Sequence, residues 1–70
     1  MPSPPKPVAT LDCQTLDGRT IFVTVAKEGR LYHLSAPGER SHICHPSVSS
    51  LDGVRREILL VYRARVVPTI

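Results

Sequence analysis

The stretch Ala9-Thr10-Leu11-Asp12-Cys13-Gln14-Thr15-Leu16-Asp17-Gly18-Arg19-Thr20-Ile21-Phe22-Val23-Thr24-Val25 decides the architecture of this 70-residue chain. Thr20 to Val25 is rich in β-branched residues, and Asp17-Gly18 is a turn signal, so the stretch reads as a β-hairpin. Its register follows from burial, because a slip of one residue turns every side chain to the opposite face. A three-residue loop, Leu16-Asp17-Gly18, sets Cys13 against Ile21, Leu11 against Val23 and Ala9 against Val25, all on one apolar face. A two-residue Asp17-Gly18 loop would set Gln14, Asp12 and Thr10 against those same apolar residues. The three-residue loop is therefore expected, with Cys13 in the core.

Working toward the C-terminus, Glu28-Gly29 marks a second hairpin. A two-residue loop there sets Tyr32 against Val25 and Leu34 against Val23, and it leaves His33 on the other face with Phe22 and Thr24. Pro37 to Ser50 reads as a polar connector with a short extended piece over Ser41 to Cys44. Toward the N-terminus, Met1 to Pro7 holds four of the seven prolines. Proline at that density lacks amide donors, so residues 1–7 are expected to form a flexible arm ahead of one domain over 8–70.

Leu51 to Val67 supports two readings. As a helix it aligns Leu51, Val54, Ile58, Val61 and Tyr62 in one stripe with Arg56 and Arg63 opposite, and Ser49-x-x-Asp52 resembles a capping box. Pro68 would stop it. Against this, Gly53 is unfavourable in a first turn, Leu60 falls on the polar face, Arg65 falls on the apolar one, and Ile58 to Val67 suits a strand. The expected fold is α+β, a three-stranded antiparallel meander with a C-terminal helix. The alternative is a small all-β barrel whose last element is a strand.

Seventy residues leave a large share of the surface exposed, so the core is small and a disulfide, a metal or a partner subunit would help to hold it. A second copy of the chain could serve as that partner. No apolar signal core opens the sequence, and no apolar run approaches the roughly 20 residues of a membrane span. A cytoplasmic protein away from membranes, with reduced thiols, is expected.

The net charge is +3, with nine basic and six acidic residues interspersed. Aromatic residues are limited to Phe22, Tyr32 and Tyr62, too few for a base-stacking face. The concentrated charge is Arg55, Arg56, Arg63 and Arg65, which could grip an acidic protein surface or successive phosphates. Chemistry-bearing residues gather at His42-Ile43-Cys44-His45-Pro46. Cys13, His42, Cys44 and His45 count to the four ligands of a zinc site, although Cys44 and His45 are adjacent where knuckle ligands stand two to four residues apart. His42, Cys44 and His45 are the candidate metal ligands, zinc is the candidate ion, and no cofactor motif is present. A thiolate at Cys44 with His42 or His45 as base would need a substrate cleft and an oxyanion hole for which a chain of 70 residues has little room, so no catalytic residue is assigned. Cys44 is expected to label in the native state, and Cys13 to resist.

The order of Thr20 to Val25, then Ala36-Pro37, then Arg56-Glu57-Ile58 resembles that of the small dimeric carbon storage regulators, which bind RNA. The likeness spans about a dozen positions, and in this chain Gly38 to Val54 intervenes where that family passes quickly into its Arg-Glu helix. It implies RNA as an alternative partner. The leading expectation is a non-enzymatic module that regulates or inhibits another protein. A nucleic-acid-binding regulator and a zinc-stapled domain are the alternatives.

Overall fold

The computed structural model describes residues 6–67. Strands β1 (Lys6–Thr15), β2 (Thr20–Glu28), β3 (Leu31–Ser35) and β4 (His42–Ile43) precede helix α1 (Leu51–Tyr62), and β5 (Ala64–Val66) follows it. They form one antiparallel sheet in the order β4-β3-β2-β1-β5, curled into a half-barrel. The α+β class holds, but the sheet has five strands where three were expected. Of the arm read over Met1 to Pro7, residues 1–5 lie outside the described residues, while Lys6 and Pro7 pair with Lys27 and Ala26.

The first hairpin takes the register demanded by burial, with Cys13 opposite Ile21, Leu11 opposite Val23 and Ala9 opposite Val25. Its loop closes because the Thr15 amide donates to the Arg19 carbonyl at 2.7 Å and the Gly18 amide to the Thr15 carbonyl at 3.0 Å. Gly18 carries a φ of 93°, the left-handed conformation that a three-residue loop requires at this position. The buried Thr15 hydroxyl accepts the Arg19 amide at 2.8 Å and also bonds the Asp17 carboxylate.

The second hairpin is corrected by two residues. Val25 pairs with Leu34, Lys27 with Tyr32 and Glu28 with Leu31, so the loop is Gly29-Arg30 and not Glu28-Gly29. Gly29, with φ 59°, stands first of the two loop residues, where a II′ turn needs a positive φ. A shift of two preserves parity, so Tyr32 and Leu34 still face the core and His33 still faces away.

The last stretch is neither all helix nor all strand. α1 ends at Tyr62, Arg63 takes left-handed angles (φ 52°, ψ 44°), and β5 pairs with β1 through Cys13 opposite Val66 and Thr15 opposite Ala64. The expected helix through Val67 is thus cut by five residues, and the expected stop, Pro68, lies outside the described residues. The reason is burial. A continued helix would point Arg65 at the core, whereas a strand buries Ala64, half-buries Val66 and turns Arg65 out. The N-cap is also one residue later than expected: Ser50, not Ser49, accepts the Gly53 amide, at 3.4 Å. Gly53 is explained by Val48, because a Cβ there would lie 3.0 Å from Val48 Cγ1.

Val54, Ile58 and Tyr62, at four-residue spacing, press one face of α1 onto Cys13, Ile21, Val23, Val25, Tyr32 and Leu34. Leu51, expected in that stripe, is exposed, and Val61 is half-buried. No helix of the described residues is long and apolar enough to cross a membrane.

Candidate functional site

The His/Cys cluster sits where the far edge of the sheet meets the helix. The pairing of Leu34 with His42 turns the His42 side chain to the inner face and Ile43 outward. The Cys44 amide donates to the Tyr32 carbonyl at 2.8 Å, which extends the ladder by one residue and buries the Cys44 side chain. Across from them stands Glu57, which precedes the buried Ile58 on α1 and lies half-buried at the edge of the packed face.

One ring nitrogen of His42, the Cys44 sulfur and a Glu57 carboxylate oxygen lie within 4.8 Å of one another. His42 Nε2 is 3.9 Å from Glu57 Oε1, too long for a hydrogen bond, and among the described residues it is a buried atom without a hydrogen-bond partner. Tyr62 forms the neighbouring wall, its hydroxyl donating to the carbonyls of Arg40, at 2.6 Å, and Leu34, at 3.2 Å. Burial pushes the Cys44 thiol up from its ordinary 9.0, and the Glu57 charge pushes it the same way. Such a thiol is the opposite of an activated nucleophile, whose pKa is lowered by nearby positive charge.

Two of the four residues counted toward zinc are elsewhere. His45 Nδ1 accepts the Ser47 amide at 3.0 Å and lies 2.8 Å from Ser47 Oγ, so its ring is engaged within its own exposed turn. Cys13 is fully buried on β1 near the opposite edge. Both cysteines are free thiols. Glu57 was not among the sequence candidates, because 13 positions separate it from Cys44 and only the return of the helix over the sheet brings it in. The signal available was its place beside Ile58 on the apolar stripe.

Native labelling of Cys44, expected from its polar neighbourhood in sequence, is corrected, since Cys44 is 1% exposed. Burial raises both thiols, with the Asp12 charge adding to the effect at Cys13. Both are expected to resist a membrane-impermeant disulfide reagent in the native state and to react together on unfolding. Labelling of either one at the rate of a free peptide thiol, under conditions where circular dichroism reports a folded chain, would contradict this packing.

The arginines do not form one patch. Arg55 and Arg56 are exposed on α1, Arg63 is its left-handed C-cap, and Arg65, opposite Gln14, lies on the face of the sheet away from the helix. Among the described residues none of the four lies within salt-bridge distance of a carboxylate, and Glu57 faces His42 instead. Beside Arg55, Arg56 and Arg63 are two leucines, Leu59 and Leu60, 44% and 64% exposed.

No family model, curated protein or solved structure matches the chain, and the likeness to RNA-binding carbon storage regulators gains no support from them.

Proposed function

We propose that this protein is a non-enzymatic binding module that docks the outer face of α1 onto an acidic surface of another protein, whose activity it regulates or inhibits. The observation that carries this reading is the pairing of Leu59 and Leu60 with Arg55, Arg56 and Arg63 on one helical face. Residues three and four apart are neighbours on a helix surface, so each leucine has an arginine one turn before it and Arg63 one turn after it. Apolar anchors rimmed by arginine are what a protein interface uses, whereas exposed leucines do nothing for a phosphate backbone. The exposed fractions of the two leucines sum to about one whole side chain, so covering both contributes about 1.5–3 kcal/mol. A second copy set on this face would oppose arginine to arginine, so an acidic protein surface is the better complement.

The test compares captures from source cells by the wild-type chain, by Leu59→Ser/Leu60→Ser and by Arg55→Glu/Arg56→Glu, with mass spectrometry as the readout. All four positions are exposed, so the variants should melt within a few degrees of wild type. An acidic protein retained by wild type, released by both variants and rebound as a purified pair is the expected result. The reading is overturned by nanomolar, steeply salt-dependent binding of RNA or DNA that Arg56→Ala/Arg63→Ala abolishes and Leu59→Ser/Leu60→Ser leaves intact.

A further inference from the structure

We infer that His42, Cys44 and Glu57 form a three-ligand site for one zinc-class ion, with the fourth position open to water. The donors are one imidazole nitrogen, one sulfur and one carboxylate oxygen, a set that suits zinc or cobalt. Magnesium and calcium, which prefer oxygen alone, are disfavoured by the sulfur. Two donors held about 2.0–2.3 Å from a tetrahedral zinc are about 3.3–3.8 Å apart. His42 Nε2 and Glu57 Oε1 are already 3.9 Å apart, and no pair among the three exceeds 4.8 Å, so closure needs side-chain movements of about 1 Å or less.

The backbone holds the donors in this arrangement. His42 is fixed in the ladder opposite Leu34, Cys44 by its amide bond to the Tyr32 carbonyl, and Glu57 by its place next to the buried Ile58. Among the described residues His42 Nε2 is buried without a hydrogen-bond partner, as is His33 Nε2 elsewhere, and it is the one of the two that has a thiol and a carboxylate beside it.

Charge also closes. On binding, Cys44 releases its proton to solvent and the sulfur lone pair forms the metal bond, so Zn²⁺ with one thiolate and one carboxylate sums to 2 − 1 − 1 = 0. A neutral centre is what a half-buried position tolerates best. The His42 and Glu57 side chains are 30% and 21% exposed, which gives water a path to the fourth position. The ion would tie the two-residue edge strand β4 to the middle of α1, where the chain from Ala36 to Ser50 is otherwise mostly loop.

The experiment titrates the reduced full chain with cobalt chloride while following thiolate-to-cobalt charge-transfer absorption in the near ultraviolet, then adds zinc chloride. One equivalent of cobalt is expected to saturate the band, and zinc to displace it and raise the melting temperature. Cys44→Ser should abolish the band. Because Cys44 is buried and that variant can unfold, Glu57→Gln and His42→Gln give the independent reading, each weakening cobalt binding at least tenfold while the far-ultraviolet spectrum stays native. Cys13→Ala and His45→Ala should leave binding unchanged. No charge-transfer band at saturating cobalt would overturn the assignment, as would affinity unchanged in both Glu57→Gln and His42→Gln, or lost in His45→Ala.

Discussion

Ile58→Ala is expected to remove about half of the folding free energy of the chain. Ile58 is fully buried in the centre of the one packed face of α1, between Val54 and Tyr62. Truncating a buried isoleucine to alanine costs about 2–5 kcal/mol, made up of lost transfer energy and an incompletely filled cavity. At about 0.05–0.15 kcal/mol per residue, a chain of this size has only about 4–10 kcal/mol in total. The described residues form one core cluster, with no second layer among them to absorb the loss. Urea melts read by circular dichroism should show the midpoint falling at unchanged slope, whereas Leu60→Ala, at a solvent-facing position, should move it little. A shift below about 1 kcal/mol for Ile58→Ala would mean that the helix does not rest on the sheet as described.

Tyr62→Phe is expected to cost about 1–3 kcal/mol, although it removes a single oxygen. The Tyr62 hydroxyl is the donor that reaches both the Leu34 carbonyl on β3 and the Arg40 carbonyl in the following connector, and a buried acceptor deprived of its donor keeps its full desolvation penalty. The substitution also alters the pH dependence. Burial first, and then the nearby Glu39 and Cys44 charges, raise the Tyr62 hydroxyl above its ordinary 10.0. The folded chain therefore holds this proton when the unfolded chain has released it. The corresponding stability is complete below about pH 10 and is lost as pH rises through the raised value. Cys13 and Cys44, both raised from 9.0, add a loss of the same sign that begins about one pH unit earlier. Thermal melts from pH 8 to 11 should fall throughout for wild type and fall less steeply above pH 10 for Tyr62→Phe. Parallel curves would remove Tyr62 from the account.

What the sequence disclosed, and what it hid, divides by the range of the interactions. The first hairpin was legible because alternation and one glycine act within about 15 residues, and only one loop length kept Cys13, Leu11 and Ala9 with Ile21, Val23 and Val25. In the second hairpin the same logic found the right faces, but it could not separate registers two residues apart, which bury the same side chains. The end of α1 was hidden because Arg63 lacks the usual mark of a left-handed cap, a glycine or asparagine. The conflict at Arg65 was its trace, since an arginine on an apolar helical stripe meant that the helix had already ended. For the candidate site, His42 and Cys44 stood out by residue type, but Glu57 joins them only through tertiary packing, and His45, their neighbour in sequence, does not.

The placement of β5 against β1 bears on how the chain is made. Val66 pairs with Cys13 across 53 positions, so the second partner of the first strand is made long after that strand itself. While the ribosome still holds Ala64 to Val66, β1 can bond β2 but keeps an open edge, and α1 has no strand to draw it back across the sheet. The nascent β1–β2–β3 meander would thus keep one apolar face uncovered, open to chaperones, until α1 and β5 have both left the exit tunnel and the sheet can close over the helix.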